Sequence, residues 1–152
     1  MNETDLMPRT ITTLSYGQAA KAIEASVAYA TQRQLALSFV VLDQSGHLLA
    51  SARMDGAAFV TIEVARGKAF AVAATGGIPG AILAKRYEEN PMVWGNAASI
   101  GLGAPMLPAK GALPLFLKGA FIGAMGASGA PSDVDEAAVA AGIAAIGASP
   151  TP

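Results

Sequence analysis

Residues 37–54 read LSFVVLDQSGHLLASARM, and this stretch decides the fold. Leu37 to Asp43 is a short apolar run rich in β-branched and aromatic residues, which reads as a buried strand. Asp43-Gln44-Ser45-Gly46 supplies the residue types of a turn, and His47 to Met54 returns as a second strand. Two strands joined this closely form a hairpin, so the sheet starts antiparallel.

Working outward, the segment before the hairpin reads as a helix. Ser15 and Gln18 match a capping box, in which each side chain satisfies a free N–H of the first turn. Ala19, Ile23, Val27 and Ala30 recur at helical spacing, and the helix is expected to end near Gln34. After the hairpin, Asp55-Gly56 is a turn. A second helix is expected from Thr61 to Ala74, with Ile62, Ala65, Ala69 and Val72 or Ala73 on its apolar face, stopped by Thr75-Gly76-Gly77. Pro79 opens a short helix reaching about Glu89. Asn90 to Pro105, which holds the only tryptophan, Trp94, reads as a long loop of the functional kind. Ala112–Leu117 and Ala120–Ala127 form a second pair of strands around Lys118-Gly119. Ser132 is then expected to cap a last helix, with Asp135 three residues on and an end near Ile146. The order is α-β-β-α-α-β-β-α. It predicts a single α+β domain over 14–146, a mainly antiparallel sheet flanked by helices. A flexible segment precedes it at 1–13, and a frayed tail follows at 147–152.

Composition narrows the function. The chain has 152 residues, 53% hydrophobic and only 14% charged, against about 25% charged in ordinary soluble domains. Ten basic residues face eleven acidic ones, with no basic cluster, which argues against a nucleic-acid partner. The apolar content argues against disorder. The absence of cysteine excludes disulfides, thiolate zinc sites and iron–sulfur clusters. One histidine, His47, excludes every two-histidine metal motif, so no dedicated metal site is expected. So little charge leaves surplus apolar surface, which points to a homo-oligomer. Neither a signal-type apolar region nor an apolar run of about 18 residues is present, so a cytoplasmic protein with no membrane partner is expected.

Few residues can carry chemistry. Arg53-Met54-Asp55-Gly56-Ala57 gathers a cation, a carboxylate and flexible backbone at a strand end, where binding groups collect; the plainer reading, which spacing alone favours, is a strand-to-helix turn in which Arg53 pairs with a nearby acid. Lys68 lies at the edge of its helix's apolar face. It is either a stem covering apolar surface or a lysine aimed into a pocket. Glu63 and Arg66, three residues apart, read as a surface ion pair. The glycines Gly119, Gly123, Gly126 and Gly129 lead to a helix start, and serve either close helix–strand packing or anion contact. His47 reads as an exposed turn residue or, more sharply, as an axial haem ligand or general base. Met54 and the other methionines read as core fillers.

These residues also resemble a known family. Val40-Val41-Leu42-Asp43 with Ser45-Gly46-His47-Leu48-Leu49, then Arg53-Met54-Asp55-Gly56-Ala57, is similar to the GlcG/HbpS family, which also supplies the C-terminal domain of PduO-type cobalamin adenosyltransferases. Ala65-Arg66-Gly67-Lys68-Ala69 resembles its Ala-x-x-Lys-Ala helix. Gly111-Ala112-Leu113-Pro114-Leu115 resembles its Gly-Gly-x-Pro segment. Gly123 to Gly129, followed by Asp133 to Glu136, resembles its closing glycine-rich strand and acidic helix start. Two departures stand out: Ala112 replaces the second glycine, and Lys118 stands where the family usually has Asp.

The resemblance implies a profilin-like sheet, assembly from dimers up to octamers, and binding of haem or a related tetrapyrrole in some members. The expected ligand pocket lies near Lys68, Asp55 and the Gly111 loop, with Arg53, Met54, Gly56, Trp94, Ala112, Ser128 and Gly129 around it. Lys68 and Arg53 would meet propionates. A second reading is a catabolic enzyme acting on an organic acid, with Lys68 and Arg53 holding a carboxylate and Asp55 or Glu63 moving a proton. A third is an accessory oligomeric scaffold.

Overall fold

The computed structural model describes residues 1–100 and 103–152. Among the described residues, nine regular elements follow a short 3-10 turn at Glu3–Leu6. They are α1 (Tyr16–Gln32), β1 (Ser38–Asp43), β2 (Leu48–Arg53), α2 (Val60–Ala74), α3 (Gly80–Glu89), α4 (Pro91–Ala98), β3 (Ala112–Leu117), β4 (Ala120–Ser128) and α5 (Ser132–Ala145). The four strands form one antiparallel sheet in the order β2-β1-β4-β3. Both hairpins are present, and β1 and β4 lie side by side in the middle.

The central strands are buried on both faces, which is why β1 reads as a continuous apolar run rather than an alternation. Phe39 and Val41 point to one core, shared with Ala19, Ile23 and Ala30 of α1 and Val139 and Ile143 of α5. Val40 and Leu42 point to the other, shared with Ala65, Ala69, Phe70 and Val72 of α2. A three-layer arrangement results, with α1 and α5 on one side and α2 on the other.

Small residues set the layer spacing. A Cβ on Gly126 would lie 2.4 Å from the Ala65 carbonyl oxygen, so α2 rests on β4 at backbone contact. A Cβ on Gly142 would lie 2.3 Å from Ser26 Oγ. That hydroxyl donates to the Ala138 carbonyl at 2.7 Å and ties α1 to α5.

Four local expectations are corrected. Residues 90–105 are not one long loop: Pro91–Ala98 is a helix, with Asn90 Oδ1 accepting the Val93 N–H at its start. Pro91 at the first helical position and the Asn90 cap are the start signals that the glycine and proline content obscured. Ser132 does not cap α5. Pro131 holds the cap position, Ser132 is the first helical residue, and the Asp135 carboxylate turns back to accept the Ala130 N–H at 3.0 Å. Glu63 and Arg66 form no ion pair among the described residues; Glu63 is exposed, whereas Arg66 is half-buried. The C-terminal tail is not frayed, because Ser149 exchanges two backbone hydrogen bonds with Phe116 on the outer edge of β3.

Gly126→Ala should destabilise the protein by about 3 kcal/mol, the upper end of ordinary overpacking, because the obstructing atoms are backbone. Gly17→Ala, on the exposed start of α1 with nothing nearer than 3.9 Å, should stabilise by about 0.5 kcal/mol. Urea unfolding of both variants checks the opposite signs.

Candidate functional site

The expected site residues separate into three places. The first is an ion pair inside the protein. Lys68 and Asp135 are 7% and 2% exposed. Lys68 Nζ lies 3.1 Å from Asp135 Oδ2 and donates to the Ala127 carbonyl, also at 3.1 Å. Gly111 makes room for this contact. Its φ is +121°, and a Cβ there would lie 2.8 Å from Lys68 Nζ. The lysine therefore crosses from α2 to the start of α5 past the end of β3. Burial pushes the Asp135 carboxyl above its ordinary range, with the Lys68 hydrogen bond and charge pulling the other way. Lys68 is thus neither a surface stem nor a free pocket cation.

The second place is the end of the sheet. Strand register sets Arg53, Ser38 and Ser128 in one row across β2, β1 and β4. Ser38 Oγ and Thr61 Oγ1, 2.7 Å apart, join this row to the start of α2. Arg53 is exposed and donates to the Ala57 carbonyl at 2.8 Å, closing the turn that contains Asp55 and Gly56, both exposed. Met54 Sδ accepts the Leu37 N–H. Ala112 is buried in the α2-side core, and Gly129 is exposed with φ +132°. Trp94 sits on α4, packed on the α2-side core, with the Arg86 guanidinium 5.9 Å from its ring.

The third place is a cavity of about 460 Å³, within the usual range for small-molecule sites. It lies between the β1–β2 turn and α2. His47 and Leu48 line one side; Arg66, Phe70, Ala73 and Ala74 line the other. The turn is held by Asp43, whose Oδ1 accepts the Ser45 and His47 N–H groups, both at 2.9 Å. Asp43 Oδ2 lies 3.5 Å from His47 Nδ1. The imidazole itself is 80% exposed, as the sequence suggests for a turn residue. Gly46, at φ +85°, brings the turn against Phe70, 3.1 Å from where a Cβ would stand. Arg66 Nε is shielded from solvent and has no hydrogen-bond partner among the described residues. Neither Lys68, Asp55 nor Gly111 lines this cavity.

The sequence reading missed Asp135 as the partner of Lys68, and Arg66 and Phe70 as cavity residues. Arg66, Phe70, Ala73 and Ala74 recur at helical spacing, and Phe70 and Ala73 also belong to the α2-side core.

The comparisons with known proteins bear on this arrangement. A family model described as "Haem degrading protein HbpS-like" matches residues 14–144. The chain belongs to the HbpS-like family. Protein GlcG of Escherichia coli K12 is 34% identical over 116 residues, covering 76% of this chain and 81% of GlcG. The crystal structure of a double mutant of Streptomyces reticuli HbpS matches with a TM-score of 0.78 at 32% identity, covering 95% of this chain and 92% of that one. A PduOC:heme complex shares the fold at 23% identity, with a TM-score of 0.82 over 93% of this chain and all of that one. The single-domain α+β architecture is that of HbpS. No helix among the described residues is long and apolar enough to cross a membrane.

Lys68→Met and Asp135→Leu should each cost about 3–5 kcal/mol, and the double variant less than their sum, because a lone buried charge costs more than no charge. The pH dependence has a defined sign. Between the ordinary aspartate value of 3.8 and its raised value, the folded chain keeps a proton that the unfolded chain has lost. Stability relative to Asp135→Asn should therefore fall as pH rises across that window, then level off. Denaturant titrations at stepped pH read both effects.

Proposed function

We propose that this protein binds haem or a related tetrapyrrole in the cavity between the β1–β2 turn and α2. The observation that carries the proposal is His47. Its imidazole lines the cavity, is largely exposed, and has the Asp43 carboxylate 3.5 Å from Nδ1, an arrangement that suits an imidazole to metal ligation. Phe70, Leu48, Ala73 and Ala74 supply apolar surface for a flat ring system. Bound haem would supply its iron; His47 would hold it, with Asp43 standing beside Nδ1. The family's description as haem-degrading and the haem in the PduOC relative support the ligand class.

The organic-acid reading loses one of its two cations, since Lys68 Nζ is already engaged by Asp135 and Ala127, whereas Arg53 stays exposed. The expected assembly into a homo-oligomer is supported by apolar side chains left in solvent, among them Phe59, Val60, Met92 and Val93.

Haemin titration of the purified protein should give a Soret band with the shift of a histidine-ligated iron. His47→Ala should remove that shift and weaken binding by at least about tenfold, as ligand loss does at metal sites. A flat titration, or one indifferent to His47→Ala, would sink the proposal. Light scattering should give a mass above that of one chain; a monomer at every concentration would count against assembly.

A further inference from the structure

Arg66 has no role in the ion pair or in axial ligation, and its surroundings are unusual for an arginine. It is half-buried on α2, and its Nε is closed off from solvent with no acceptor among the described residues. Nε is sealed off, and the two terminal nitrogens, which are not among the shielded unpartnered atoms, are the donors left for a ligand. None of the ion pairs among the described residues involves Arg66. Glu63, the nearest acid on its own helix, is exposed. The cavity that Arg66 lines contains no Asp or Glu among its walls. It therefore combines an apolar wall around Phe70 with a cation that has no ion-pair partner among the described residues.

The chemical complement is an aromatic or other flat apolar body carrying a free carboxylate. A guanidinium meets a carboxylate through a planar fork of N–H donors, which an ester cannot match because it carries no charge. We infer that Arg66 is the carboxylate-recognising residue of this cavity and makes the site selective for ligands with a free acid over the same ligands esterified. For a tetrapyrrole this rests on the reading above, and the acid is a ring propionate.

Two matched pairs of probes test it. The first is metal-free protoporphyrin IX and its dimethyl ester, which need no axial ligand, followed by porphyrin fluorescence. The second is pyrenebutyrate and its methyl ester, followed by anisotropy. The wild-type protein should bind each acid at least about tenfold more tightly than its ester, the usual scale of a charge-assisted contact. Arg66→Gln should erase that preference by weakening the acid and leaving the ester unchanged. Arg66→Lys, which keeps the charge and loses the fork, should fall between. Circular dichroism melts confirm that both variants are folded.

Equal binding of acid and ester by the wild type in both pairs overturns the inference, as does a preference that survives in Arg66→Gln. Failure of the two proposals is distinguishable. His47-dependent haemin binding without an acid preference leaves the tetrapyrrole reading standing and removes the role of Arg66. An Arg66-dependent preference for pyrenebutyrate with no porphyrin or haemin binding does the reverse.

Discussion

The approach of α2 to the sheet at Gly126 is the contact on which the rest depends. No side chain stands between the Ala65 carbonyl and β4, so the helix axis is fixed by backbone against backbone. Such a contact has little tolerance, because neither partner can change rotamer to make room. It sets the height of every α2 side chain above the sheet. Lys68 reaches Asp135 past Gly111, and Phe70 reaches the β1–β2 turn at Gly46, only from that height. The structural ion pair and the cavity are thus two outcomes of one packing distance.

α2 divides its residues between these roles within a single turn. Arg66 and Phe70, four apart, share the cavity side. Lys68 lies between them in sequence and points away, toward the end of β3 and the start of α5. This is the ordinary consequence of 100° of rotation per residue. It lets two cations two positions apart sit in opposite electrostatic conditions: Lys68 is neutralised by a buried carboxylate, while Arg66 has no acid within its cavity.

Much of the architecture was legible in the sequence because local signals agreed with the tertiary outcome. The Ser15–Gln18 capping box is formed with both hydrogen bonds, and both hairpins fall where turn residues interrupt apolar runs. α4 was not legible, because a Pro-led, Asn-capped helix of eight residues lies within glycine- and proline-rich sequence. The site was harder. Residues 68 and 135 are far apart in the chain, and no spacing rule joins them. Lys68 looked available because a lysine beside an apolar stripe carries no mark of its partner. Arg66 looked like half of a surface pair because Glu63 stands at the favoured helical distance; in the structure Glu63 stays exposed and Arg66 is half-buried beside the cavity. His47, which reads as a turn residue in the sequence, is exposed and also lines the cavity because the hairpin turn lies over α2.

The pairing of Ser149 with Phe116 has a consequence for the two rims of the sheet. β3 is an outer strand with a proline at position 114, which has no N–H to offer, and its far end is occupied by the chain's own terminus. Both devices blunt a strand against addition of a foreign one. β2, the opposite rim, has neither a proline nor a terminal segment bridged to it among the described residues. Of the two rims, β2 is therefore the one that neither device blunts among the described residues.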